Sequence, residues 1–323
     1  MSTKKSPLKA DDSRPATAPL ALIAGPTASG KSALALELAG ALQKQGRKGV
    51  IVNADSMQVY ADIPVLSAAP SDGELGLFDH RLYGAWDGSE ACSAADWANR
   101  ARADIAQAHG EGSVPILVGG TGMYLKVLLE GIAPIPEIEP EVREVVRAMD
   151  SASAYAALQI EDPLRAAELE PGDSQRISRA LEVKRSTGVT LADWQQAKTG
   201  GLGDEVTLYP LVMMPERQWV YDRCDTRFAQ MLEQGAIDEV EALLERGLSP
   251  ELPVMRAIGV PEISALLREE ITEEECIAAG AQATRQYAKR QFTWLRNQCP
   301  QEWPRIESQN VDIEEIFAPL LQD

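Results

Sequence analysis

Eight residues constrain this chain more than any others. Gly25-Pro26-Thr27-Ala28-Ser29-Gly30-Lys31-Ser32 matches G-x-x-x-x-G-K-[ST] in full. Such a loop works only between a strand and a helix, where its amides point at an anion held on the helix N-terminus. Both neighbours are legible. Leu20 to Ala24 is a short apolar run between Pro19 and Gly25 and reads as a buried strand, and an Ala- and Leu-rich helical pattern runs from Ser32 to about Lys44. Residues Gly25 to Ser32 are therefore expected to cradle a polyphosphate. Lys31 would supply a fixed positive charge, and the Ser32 hydroxyl would face Mg²⁺, the expected cofactor.

The next elements repeat the alternation. Gly49 to Ala54 is β-branched and reads as a second strand, residues 94–109 as a helix, and Val114 to Val118 as a third strand running into Gly119-Gly120. Strands alternating with helices give βαβ units and a parallel sheet, hence an α/β core like that of P-loop nucleoside-triphosphate hydrolases. Pro134, Pro136 and Pro140 then break the pattern. Beyond them the chain is mostly helical until Leu208 to Met213, one more strand returning to the sheet, and helical again over about 216–298. The expected organisation is a disordered tail over 1–18 and a core over 19–133 and 201–310. A helical insertion occupies 134–200 and an acidic tail 311–323.

Several function classes drop out on residue counts. With only His80 and His109 in 323 residues, a His-based metal centre or a Ser-His triad has almost nothing to build on. Cys92, Cys224, Cys276 and Cys299 are widely spaced without a C-x-x-C pair, which argues against zinc and a disulfide framework and fits a reducing cytoplasm. No apolar run approaches the length of a membrane helix, and the first residues lack a signal-peptide core. The net charge of −18 runs against nucleic-acid binding, yet the acids cluster, at Glu269–Glu275 and beyond Val311. Residues 284–298 carry Arg285, Lys289, Arg290 and Arg296 with no acid at all.

An NTPase usually places an acid at the end of a strand to hold its metal. Here the third strand ends in Gly-Gly-Thr, and the acid ends the second instead: Asp55, in Asn53-Ala54-Asp55-Ser56-Met57-Gln58-Val59-Tyr60. On pattern alone, Asp55 could hold Mg²⁺, act as a base beside the bound phosphates, or simply cap the following segment.

Six blocks together resemble the tRNA dimethylallyltransferase family. They are G-P-T-A-S-G-K-S (25–32), N-A-D-S-M-Q-V-Y (53–60), G-G-T-G-M-Y-L-K (119–126), Q-R-I-S-R-A-L-E-V (175–183), R-A-I-G-V-P-E (256–262) and T-R-Q-Y-A-K-R-Q-F-T-W-L-R (284–296). They stand in the family's order and span about 20–298. The resemblance implies transfer of a dimethylallyl group from dimethylallyl diphosphate to the exocyclic amine of adenosine 37, beside the tRNA anticodon. The P-loop core is then joined by a helical insertion that grips the anticodon stem.

Residue by residue, the resemblance makes Asp55 the general base and Thr27 the group steadying the bridging oxygen of the leaving diphosphate. Arg227, in D-T-R-F-A-Q-M-L, becomes an arginine serving the diphosphate; Arg217 and Arg223 are its near rivals. The acceptor adenine must leave its stack. Asp55, Ser56, Met57, Gln58 and Thr121 are the implied contacts to it and its neighbours. Further tRNA contacts fall on Arg143 and on Gln175, Arg176, Ile177, Ser178 and Arg179 in the insertion. Others fall on Arg256, Ala257, Ile258, Gly259, Val260 and Pro261, and on Lys289, Arg290, Gln291, Phe292, Thr293, Trp294, Leu295 and Arg296. On spacing alone, Arg176 and Arg179 are equally a solvated helix face. Tyr287, Phe292 and Trp294 are either base-stacking or core aromatics.

The chain departs from the family after Tyr60. It reads A-D-I-P-V-L-S-A-A-P over 61–70, with Ala69 where a lysine is usual, and Asp79-His80-Arg81-Leu82 replaces His-His-Leu. One contact in that loop is then missing or supplied from elsewhere. Two rivals share the phosphate loop: a kinase of a nucleotide or small metabolite, and a non-catalytic RNA-binding protein. Neither accounts for residues 284–296 together with an intact Thr27, Lys31, Ser32 and Asp55. A monomer without membrane attachment completes the expectation.

Overall fold

The computed structural model describes residues 17–308 and 311–322. The expected tail over 1–18 lies outside the described residues except for its last two, and Ala18 already opens a strand. Six parallel strands form one sheet: β1 (Ala18–Ala24), β2 (Gly49–Asn53), β3 (Asp79–Arg81), β4 (Val114–Gly119), β5 (Val206–Met213) and β6 (Arg305–Ile306), in the order β3-β2-β4-β1-β5-β6. Every residue of β2 and β4 is buried, as expected of parallel strands covered on both faces. β1 sits inside, with Ala21–Ala24 paired to Ile116–Gly119 on one side and Ala18–Ala24 to Val206–Val212 on the other. Helix Lys31–Lys44 presents Leu34, Ala35, Leu38, Ala39 and Leu42 to the core at helical spacing.

This strand order positions the site. β1, β4 and β2 are neighbours, so the loops after their carboxyl ends open on one crevice, where ligands of parallel α/β sheets bind. The phosphate loop follows β1, Asp55 follows β2, and Gly120-Thr121 follows β4.

Contacts divide the chain into Met1–Leu125 with Gly203–Asp323, and Lys126–Leu202. The second unit is longer at both ends than the insertion expected over 134–200. The reason lies in its own backbone. Ile132 and Thr199 form an antiparallel bridge, and Lys198 pairs with Glu130 at 2.5 Å, so closure occurs upstream of the proline cluster. Inside it, helices Pro140–Arg147, Ser151–Glu161, Pro163–Glu168 and Ser174–Thr187 bury Val146, Leu158, Leu169, Ile177 and Leu181. Asp150, Asp162 and Asp173 cap the last three, each accepting from an amide three residues on.

The segment expected as an acidic tail over 311–323 is not a tail where it is described. Ile313, Phe317 and Leu320 are buried with Leu38 and Leu42, and Arg47 Nη1 donates to the Leu320 carbonyl at 2.6 Å. The acids occupy the other face, Glu314 and Glu315 being exposed. Phe317 is 1% exposed, so Phe317→Ala should cost about 3 kcal/mol of unfolding free energy. A urea titration should show a lower midpoint with an unchanged slope; an unmoved midpoint would mean that this docking adds no stability.

Candidate active site

The phosphate loop is held from three directions. Gly25 N–H donates to Gly119 O at 3.2 Å, tying the loop's start to β4. Thr27 N–H donates to Gln291 Oε1 at 2.7 Å, while Gln291 Nε2 donates to Gly120 O at 3.1 Å, so one buried amide bridges two loops. A Cβ at Gly120 would lie 2.4 Å from Gln291 Nε2 and 2.5 Å from Gly25 O, which is why that position has no side chain. Arg223 Nε donates to Ala28 O at 2.8 Å, with its guanidinium 4.7 Å from the Trp219 ring centre. Gly30, at φ +93°, turns the chain into the helix. The amides of Gly25 and Thr27 are thus committed, and Ser29 N–H donates to Pro26 O, while the amides at the start of the helix, those of Lys31 and Ser32, are placed to face a bound anion.

Asp55 is fixed by its neighbours. Fully buried Asn53 accepts from Asp55 N–H at 2.8 Å and donates to Asp55 O at 3.1 Å and Leu82 O at 3.0 Å. Asp55 Oδ1 accepts from Met57 N–H at 3.0 Å, so the capping role is real for one oxygen and leaves the other. Thr121 Oγ1 accepts from Ser56 N–H at 2.9 Å, joining the turns after β2 and β4.

Thr27, Asp55 and Arg227 line one cavity of about 230 Å³. Its wall is apolar at Ile63, Leu66, Phe228 and Met231, and its rim carries Arg256, Tyr287 and Arg290. Arg227 also borders two adjoining spaces. One is shared with Lys31 and Ser32, the other with the 64–74 loop. Of the three candidate arginines, Arg227 lines this cavity and the space beside Lys31 and Ser32, Arg223 lines the second of these while its Nε donates to the loop, and Arg217 sits 5.6 Å from the Phe292 ring centre.

The charges report the same crowding. Burial pulls Lys31 down to about 8, with Asp55 pushing it up and Arg227 pushing it further down. Burial lowers Arg227 too, opposed by Cys224 and Asp55. The Tyr287 phenol is pushed up by burial and by the charge of Asp55. Two cations and one carboxylate thus meet in partly desolvated space, an arrangement that favours an incoming anion.

Several residues expected to touch RNA do other work. Ile177 is in the core of the second unit, and Val260, Phe292 and Leu295 in that of the first, each 1% exposed or less. Gly259 is buried, and Gln291 is the bridge just described. Gln58 donates to Ser67 O at 3.1 Å and Ala68 O at 2.7 Å, so both its N–H groups serve the loop. Trp294 packs on Gly122. For Ile177, Val260, Gln291, Phe292, Trp294 and Leu295 the cause is shared: in a block laid on a helix, every third or fourth residue faces inward. Ser56, Met57, Arg256, Ala257, Ile258 and Arg290 do line the cavity. Pro261, Lys289, Thr293 and Arg296 are exposed on the first unit, and Arg143, Gln175, Arg176 and Arg179 on the second, with Ser178 half-buried. Arg176 pairs with Asp173 at 3.2 Å. The apolar wall at Ile63, Leu66, Phe228 and Met231 was not foreseen; its residues are scattered through the sequence and are ordinary core types.

The model of the IPP transferase family matches residues 58–298. Named tRNA dimethylallyltransferases from Erythrobacter litoralis and Novosphingobium aromaticivorans are 59% and 62% identical over 304 and 278 residues. They cover 94% and 86% of this chain, and 96% and 99% of those proteins. The crystal structure of the tRNA isopentenylpyrophosphate transferase from Bacillus halodurans is 30% identical with a TM-score of 0.64, covering 95% of each chain. A eukaryotic dimethylallyltransferase described as acting on tRNA is 29% identical with a TM-score of 0.74, covering 86% of this chain and 70% of that one. On the family model and on this level of identity across nearly its whole length, the chain belongs to the IPP transferase family.

Proposed function

We propose that this enzyme transfers the dimethylallyl group of dimethylallyl diphosphate to the exocyclic amine of adenosine 37 in the tRNA anticodon loop, releasing diphosphate. The observation that carries the reading is the meeting of Thr27, Asp55 and Arg227 on one cavity with an apolar wall, beside Lys31 and Ser32. A five-carbon chain needs apolar surroundings and its diphosphate needs cations, and both lie within the reach of Arg227.

In this mechanism the adenine nitrogen forms a bond to the allylic carbon as the bond from that carbon to the bridging oxygen breaks. The nitrogen's proton passes to the free oxygen of Asp55, which the Met57 amide orients through the other. Negative charge grows on the departing diphosphate, where Lys31, Arg227 and the first helix amides stabilise it, and the Thr27 hydroxyl steadies the bridging oxygen. The donor set fits Mg²⁺: an exposed Ser32 hydroxyl at the helix start is a hard oxygen, and this ion is held mainly by phosphates, water and one or two protein oxygens. When bound, Mg²⁺ would neutralise charge on the diphosphate. Ser56 and Met57 would meet the flipped adenine, with Thr121 holding their turn. Arg256 and Arg290 would take phosphates at the rim, as would Lys289 and Arg296. Arg143, Arg176 and Arg179 would do so on the insertion. Four unpaired cysteines are consistent with a reducing cytoplasm, and among the described residues no helix is long and apolar enough to cross a membrane.

The direct test incubates the protein and Mg²⁺ with radiolabelled dimethylallyl diphosphate and unmodified tRNA bearing adenines at positions 36 to 38. A parallel reaction offers ATP and a small acceptor. Label on adenosine 37 is expected; ATP turnover without label would make the chain a kinase. A pH dependence follows from Lys31. Its proton is held less tightly than in a free lysine, so the charged form is half lost at about pH 8 and dwindles further above it. The KM for the donor should stay flat well below about pH 8 and rise above it by up to tenfold per unit. A flat profile to pH 9.5 would remove Lys31 from donor binding.

A further inference from the structure

Ile63 lies directly before the short helix Pro64–Ser67, where a Ser, Thr, Asp or Asn would normally cap the first amides. An isoleucine side chain has no atom that could accept such a hydrogen bond, and this one is fully buried on the cavity wall. Pro64 has no N–H, so the first two orphan donors are those of Val65 and Leu66. Both are taken by one side chain from far along the sequence. Glu239 Oε1 accepts from Val65 N–H at 2.6 Å and Oε2 from Leu66 N–H at 2.9 Å. The other end of the turn is held by Gln58, through the carbonyls of Ser67 and Ala68. Two turns on from Glu239, Arg246 pairs with Asp62 and Asp87, pinning the chain just before Ile63. The stretch so held brings Ile63, Leu66 and Ser67 to the cavity.

We propose that Glu239 is a positioning residue, supplying from the C-terminal half of the chain the cap that Ile63 cannot and so holding the apolar wall of the substrate cavity in place. The sequence gives up a local cap to keep an apolar side chain against the substrate, and the missing acceptor arrives from a distant helix. Glu239 touches no reacting atom. Its effect is on how well the cavity grips the donor, and this part rests on the transferase reading above.

The test compares the full-length chain with Glu239→Gln, which keeps one acceptor oxygen but turns an N–H group toward the second amide. Glu241→Gln, exposed on the same helix, is the control. Hydrogen-exchange mass spectrometry should show exchange over residues 63–68 accelerated about tenfold in Glu239→Gln alone, the size expected for one lost cap. The KM for dimethylallyl diphosphate should rise about tenfold, with kcat and the KM for tRNA within twofold. Unchanged exchange and KM would overturn the proposal. So would faster exchange spread over the whole chain with kcat falling alongside, since that is general loosening. If the unsubstituted chain transfers no label, the function stated above fails, and the exchange measurement still decides whether Glu239 holds the turn.

Discussion

Asp55→Asn is expected to lower turnover by about 10²-fold or more while donor binding stays within a few-fold. The substitution is chosen because an amide oxygen still accepts from Met57 N–H, so the turn after β2 should keep its shape. What disappears is the one group at the cavity that combines a free carboxylate oxygen with near-complete burial, at 9% exposed. Single-turnover transfer from radiolabelled dimethylallyl diphosphate reads the chemical step, and calorimetric titration of the donor reads binding. Unchanged turnover would remove Asp55 from proton transfer and reduce it to the cap that its Oδ1 already provides. A loss of binding equal to the loss of turnover would instead mean that its charge matters mainly for organising Lys31 and Arg227.

Gln291→Leu should have the second-largest effect, and through a different route. Its side chain is 4% exposed and meets Thr27 N–H with one atom and Gly120 O with another. Leucine fills a similar volume but leaves a buried donor and a buried acceptor unmet, at about 1–3 kcal/mol each. Stability should therefore fall by about 2–6 kcal/mol. The kcat/KM should fall at least tenfold, because the same change frees the Thr27 backbone. Gln291→Glu should fall between, since it keeps an acceptor for Thr27 but loses the donor to Gly120. Equal stability in all three chains by urea titration would show the bridge to be incidental.

The core strands and the phosphate loop were legible because they rest on local signals. An apolar run bounded by Pro19 and Gly25 and a loop pattern with fixed spacing need no long-range information. β3 and β6 were invisible for the converse reason: Asp-His-Arg and Arg-Ile are too short and too polar to read as strands, and they pair only because an edge is offered to them. The docked C-terminal segment was masked by its acids, which hid the spacing of Ile313, Phe317 and Leu320. At the site, Thr27, Asp55 and Arg227 were named through resemblance; they line one cavity, and Arg223 joins Arg227 on the adjoining space beside Lys31 and Ser32. Resemblance over-assigned Ile177, Val260, Gln291, Phe292 and Leu295, since a motif does not say which face of its helix is inward. Glu239 was beyond reach: a cap delivered across the chain leaves no mark near the turn it serves.

The register of β1 also bears on how the enzyme is made. Ala18 waits for Val206, so on the ribosome β1 emerges with both flanks bare; β4 can cover one of them, and the other stays open until β5 is translated. Leu20 through Ala24 are wholly buried in the finished sheet, and an apolar strand edge of this kind recruits other chains when left open. The 126–202 unit, carrying a core of its own, is completed during that interval. Nascent chains stalled before Val206 should therefore depend on trigger-type chaperones and be lost to aggregates, whereas chains stalled beyond Met213 should hold the sheet closed from β2 to β5.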